Sequence, residues 1–185
     1  MTSIIKADNI STVSGSGNIT IPTGVKVVGT DAASIYAPGM VVQMVHLADT
    51  TVTRAATSST SYVATNLSNS ITPKFSNSKF IVRVATTGNN NTNAANQLVY
   101  QIFRKIGSGS FTNIRTMSGN DWGIGQVYSA ASRIQVPLIG EIVDQPNTSE
   151  TVEYKVYIRT HNGITIELPA TTTEHCEMII MEIAQ

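Results

Sequence analysis

The chain carries a single cysteine, and that scarcity already removes one kind of architecture. Cys176 has no partner within the 185 residues, so no internal disulfide exists and a stapled secreted scaffold is excluded. Cys176 is expected to be a small core hydrophobe rather than a nucleophile. Charge is also scarce. Only 13% of residues are charged, 12 basic against 12 acidic, so the chain lacks the positive field that phosphate binding requires, and nucleic acid is excluded as an expected partner. No apolar run approaches the roughly 20 residues of a membrane span, and residues 1–9 lack the apolar segment of a signal peptide, so a protein soluble where it is made is expected, with no membrane insertion. A sustained helical period is missing as well.

What is present is Thr, Ser, Asn and β-branched residues, with glycines marking turns. That composition favours strands. The length suits one domain plus an arm, and a domain of this size buries about 70% of its unfolded surface without a metal or cofactor.

Residues 1–39 differ from the rest. Short β-prone pieces (Ile4-Ile5, Ile19-Thr20-Ile21, residues 25–28) are separated by Ser14-Gly15-Ser16-Gly17, Pro22 and Gly24, too few to close a core. They predict an arm or short β-stem held by neighbouring copies or by another protein. Ala37-Pro38-Gly39 punctuates the boundary, and residues 40–185 form the predicted domain. Residues 40–47 are apolar in both phases, which predicts a strand buried on both faces. Within residues 59–88, a strand and a turn at Pro73 lead into Phe80, Val82 and Val84 alternating with Lys79, Arg83 and Ala85: a strand with one buried face. Residues 98–106 and 111–117 read as a hairpin across Gly107-Ser108-Gly109. Pro137 confines the strand at 134–142 to an edge or bulge. Val152, Tyr154, Val156 and Ile158 alternate cleanly, and Asn162-Gly163 then predicts a two-residue hairpin into 164–168. The last strand, 176–183, is apolar in both phases and is expected at the centre of a sheet or an oligomer axis. Regularly spaced short strands predict an all-β antiparallel jelly-roll β-sandwich. Strands apolar on both faces exceed what one small sandwich can bury, and self-association would use the surplus.

Candidate chemistry is thin. In Glu174-His175-Cys176-Glu177 the His-x-Glu spacing matches zinc deaminases, but the Pro-Cys-x-x-Cys half is missing, leaving a polar strand entry. His46, His161 and His175 share no motif spacing, no nucleophile motif accompanies them, and the glycine pairs lack the third glycine and helix of a phosphate cradle. No catalytic residue, metal ligand or cofactor is expected. Two surface features offer contacts: a polar loop with Asn89, Asn90, Asn91 and Asn93, whose amides donate and accept, and the loop with Asp121 and Trp122, whose ring either stacks on a sugar or anchors the loop to the core.

Several stretches carry a resemblance. Lys6-Ala7-Asp8-Asn9-Ile10-Ser11, residues 14–22, Gly29-Thr30-Asp31 and Ala37-Pro38-Gly39-Met40-Val41 resemble the N-terminus of tailed-bacteriophage fibre-type virion proteins. Ser61-Tyr62-Val63, Ile71-Thr72-Pro73 and residues 78–82 resemble the start of their TNF- or C1q-like jelly-roll knob, and residues 178–184 its end. The resemblance implies a homotrimeric virion structural protein, made in the bacterial host cytoplasm. Its arm docks on another virion protein, and its knob attaches to a host surface glycan or protein. The alternative is a capsid or tail decoration protein that cements subunits without receptor contact. Neither role is enzymatic.

Overall fold

The alternating stretches become strands. The structure is a computed structural model that describes residues 22–24, 26–29, 35–49, 52–115, 122–130, 132–171 and 174–185, and its described residues form eleven strands and no helix. In chain order these are β1 (Val41–Asp49), β2 (Ala55–Thr57), β3 (Val63–Ile71), β4 (Lys79–Asn90), β5 (Asn96–Ile106), β6 (Thr112–Asn113), β7 (Gly125–Ser129), β8 (Ile134–Asp144), β9 (Val152–Thr160), β10 (Ile166–Leu168) and β11 (Cys176–Ile183). The chain divides into two units, residues 1–35 and 36–185, a division that falls shortly before Ala37-Pro38-Gly39. In the first unit, residues 22–24 and 26–29 are outside any strand, and the expected arm pieces at 1–21 lie outside the described residues.

All strand pairs are antiparallel. In the first sheet the long strands run β1-β11-β4-β8, with β10 and β2 continuing beyond β11 along the same edge of β4. The second sheet runs β3-β9-β5, and β6 and β7 share the remaining edge of β5 in tandem. Strands distant in sequence are thus neighbours, as in two interleaved Greek keys, and the result is a jelly-roll sandwich.

Between the sheets lies one core. Phe80, Val82 and Val84 from β4 and Met178 and Ile180 from β11 face Leu98 and Ile102 from β5 and Val152, Tyr154, Val156 and Ile158 from β9, all buried. The alternation predicted for β4 and β9 therefore reaches its destination. β11 lies inside its sheet, between β1 and β4, and Pro137 sits on β8, which pairs only with β4 among the described residues.

Two expectations are corrected. β1 is not buried on both faces: Val45 and Leu47 pack on the core, while Val41 and Met44 are 51% and 58% exposed, because β1 is the sheet's edge and its outer face meets no other layer of the described chain. Asn162-Gly163 does not close a hairpin. β9 belongs to the second sheet and β10 to the first, so this turn, with Gly163 at φ 72°, carries the chain across the sandwich. A turn residue specifies a reversal of direction, not which sheet receives the next strand.

The start and end of the domain are tied together. Gly39 N–H donates to Ala184 O at 2.8 Å and Ala184 N–H to Met40 O at 2.9 Å, and Tyr36 packs on Phe75 with ring centroids 4.4 Å apart.

Candidate functional site

The predicted asparagine loop is largely strand. Asn89 and Asn90 end β4 and are buried, because β8 pairs one edge there and β10 the other. Asn89 Nδ2 donates to Glu167 Oε2 at 3.0 Å, and Asn90 Nδ2 donates to Ala94 O at 3.1 Å. The surface-contact reading is therefore corrected for these two. Asn91 and Asn93 do lie exposed at the tip, where Asn93 Oδ1 accepts from Arg133 N–H at 3.3 Å. Asp121 lies outside the described residues. Trp122 is half-buried, its ring 5.3 Å from that of His161 and 5.9 Å from the Arg159 guanidinium.

Trp122 is one end of a larger arrangement. The chain has one tryptophan, six tyrosines and four phenylalanines. Only Phe80, Tyr100 and Tyr154 belong to the core, and Tyr36 pairs with Phe75. The remaining six decorate the outer side of the second sheet. Their placement follows from strand phase: Leu98, Tyr100 and Ile102 of β5 and Tyr154, Val156 and Ile158 of β9 point inward, so Phe103, Lys105, Lys155, Tyr157 and Arg159 point outward. On β7, Val127 packs inward, which turns Tyr128, 60% exposed, to the outer side.

These side chains touch in sequence across the sheet. Tyr62 meets Phe103 edge-on at 5.3 Å, Phe103 stacks on Tyr157 at 4.0 Å, and Tyr157 meets Phe111 at 5.9 Å. Cations are interleaved. Arg159 lies 5.5 Å from the Tyr62 ring as well as near Trp122, and the ammonium groups of Lys105 and Lys155 lie 5.0 and 4.9 Å from the Phe111 ring. Each such contact stabilises by about 0.5–1 kcal/mol at an exposed site. Among the described residues Glu153 is the one acid in the row, 2.5 Å from Lys105 Nζ and 3.6 Å from Lys155 Nζ. Burial alone would raise its pKa, but the hydrogen bond and charge of Lys105, with Lys155 and a Ser68 hydrogen bond, outweigh that and lower it. The Tyr157 hydroxyl is pushed up, first by burial and then by the Glu153 charge, against the opposing pull of Lys105. Opposite, β3 contributes Ala64, Ser68 and Ser70, with no acid. The face is thus aromatic with a positive excess. Sequence reasoning found only Trp122 here. Tyr157 stands visibly in the outward phase of β9, but Tyr62 and Phe111 lie outside regular strands and carry no such signal.

The outer side of the first sheet is different in kind. Register places Met44 beside Met181, Met181 beside Ile81, and Ile81 beside Val143, one unbroken aliphatic row across all four long strands. Val143 is 51% exposed, and Ile139, four residues before it on β8, is 61% exposed. Next to the row His46 Nε2 lies 3.2 Å from Glu177 Oε1, while His175 Nε2 lies 3.9 Å from Glu177 Oε2. Folding therefore gathers two histidines that the sequence keeps apart. Even so, among the described residues no group of three His, Cys, Asp or Glu is placed to hold a metal ion. Cys176 is buried against Thr86 Oγ1, 3.1 Å from its sulfur.

No protein-family model matches the chain, and no curated protein matches it. Among solved structures, one of infectious bursal disease virus, Gx strain, is similar with a TM-score of 0.35 and 10% sequence identity, over 86% of this chain. The chain spans less than half of that one, 47% of its length.

Proposed function

We propose that this chain is a structural component of a tailed-bacteriophage virion: a fibre-like appendage whose jelly roll self-associates as a homotrimer, with residues 1–39 docking on another virion protein and a surface of the jelly roll contacting a host glycan or protein. The observation that carries the self-associating part is the aliphatic row Met44, Met181, Ile81 and Val143. It crosses a whole sheet in register, and fully burying such a side chain is worth about 1.5–3 kcal/mol. A second copy of the chain is the simplest cover for it, since a charge-poor, aliphatic strip offers neither hydrogen bonds nor charge to a small ligand. The fibre-type reading draws its support from the resemblance of the leader and of the strand entries, together with the jelly-roll topology.

Light scattering on the whole chain tests the assembly: a particle of three times the 19.8 kDa chain mass is expected, and a monomer at micromolar concentration would overturn it. Gold-labelled antibody on purified particles tests the role. Label projecting from a tail or head appendage agrees with host contact, whereas a position buried between other subunits replaces it with a cementing role.

A further inference from the structure

The two outer faces of the sandwich divide the chemistry between them, aliphatic on the first sheet and aromatic with cations on the second. We propose that the aromatic face binds an acidic oligosaccharide, one built from uronic-acid units. The inference rests on the host-contact part of the function proposed above and names its ligand class.

Three features select that class. Twice as many aromatic rings lie on this one surface as in the hydrophobic core, an arrangement that core packing does not require and that ring-shaped, partly apolar ligands use. Among the described residues, the ammonium groups of Lys105 and Lys155 share one acid, Glu153, which leaves a positive excess there on a chain whose net charge is zero. Arg159, near the rings of both Tyr62 and Trp122, adds a planar guanidinium to the same surface. The third feature is extent and polarity. From Glu153 to Arg159 the face runs about 20 Å along β9, longer than one sugar ring, and it continues past the amide pair of Gln97 and Gln126 to the exposed Tyr128. Amides there hydrogen-bond hydroxyl groups in either sense. A nucleic acid would instead ask for many phosphate contacts, and three cations offset by a carboxylate supply few.

The test is calorimetric titration of the intact protein with tetragalacturonate, with maltotetraose as the neutral sugar and tripolyphosphate as the sugar-free anion. Tetragalacturonate is expected to bind, with affinity at least tenfold weaker for Trp122→Ala and for the double variant Lys105→Gln, Lys155→Gln. Unchanged circular dichroism in the lysine variant guards against a folding artefact. No binding of tetragalacturonate overturns the proposal. Equal binding of maltotetraose overturns its charged part, and equal binding of tripolyphosphate that survives Trp122→Ala reduces the face to an ion-exchange surface. Met44→Lys, on the other sheet, separates the two readings: it is expected to disturb assembly while leaving the affinity for this short sugar unchanged, so either can fail alone.

Discussion

At the scale of single residues, the most constrained group is Glu182, a fully buried carboxylate. It accepts from Lys74 N–H at 2.8 Å, Phe75 N–H at 3.1 Å and the Ser78 hydroxyl at 2.6 Å, and from the Gln43 amide. One side chain near the C-terminus therefore satisfies the turn between β3 and β4, which has no partner strand to do so. Each buried donor left unmade costs about 1–3 kcal/mol. Glu182→Ala is expected to lose at least about 3 kcal/mol in urea unfolding. Glu182→Gln should lose a substantial part of that, because its NH₂ group points a donor at donors. Glu153 gives a pH prediction. Its pKa is lower in the folded chain than its ordinary value, so its contribution is fully present above the ordinary glutamate range and is lost as the pH falls through the lowered value. The pair is part-exposed, which limits the effect to below about 1 kcal/mol. Melting temperatures at pH 7 and pH 3 should therefore lie slightly closer together in Glu153→Gln than in the parent chain.

Among the elements, β5 and β8 meet through Tyr100. Its hydroxyl donates to Ile139 O at 2.9 Å, joining the two sheets, and burial raises its pKa. Its ring lies against Gly125 on β7, where an added Cβ would come within 2.3 Å of the hydroxyl oxygen and 2.5–2.6 Å of two ring carbons. Because the hydroxyl is anchored, the ring cannot simply move away. Gly125→Ala is expected to destabilise by about 1–3 kcal/mol, which a thermal melt reads as a drop of several degrees. Tyr100→Phe should cost only about 1 kcal/mol. The strands themselves were legible: period-two apolar residues in β4 and β9 declare the inward face, and Pro137 declares an edge. What the sequence did not disclose was membership. Asn162-Gly163 has the chemistry of a hairpin yet links strands of different sheets, and Asn89 and Asn90 look like loop residues yet are held by β8 and β10. Both outcomes depend on partners distant in sequence, which no local pattern encodes. The candidate face was hidden for the same reason, since Trp122, Tyr62, Phe103 and Phe111 converge only after β3, β5 and β9 have paired.

For the whole molecule, the apolar residues surplus to one core were the strongest hint in the sequence, and the fold gathers much of that surplus on one side of the first sheet. This matters for how solubility and assembly are linked. Met44 and Val143 sit at opposite ends of the aliphatic row and are both more than half exposed, so neither carries much of the isolated chain's stability. Their replacement by lysine should leave urea unfolding within about 0.5 kcal/mol, as for other exposed positions. If the row is the assembly surface, the same replacements bury an unpaired charge at each copy's interface, and an unpaired charge there costs several kcal/mol. Met44→Lys and Val143→Lys are therefore expected to shift the light-scattering mass to that of the single chain without changing the circular dichroism. An assembled particle that persists in the double variant would place the contact elsewhere, and the exposed aliphatic row would then need a different cover.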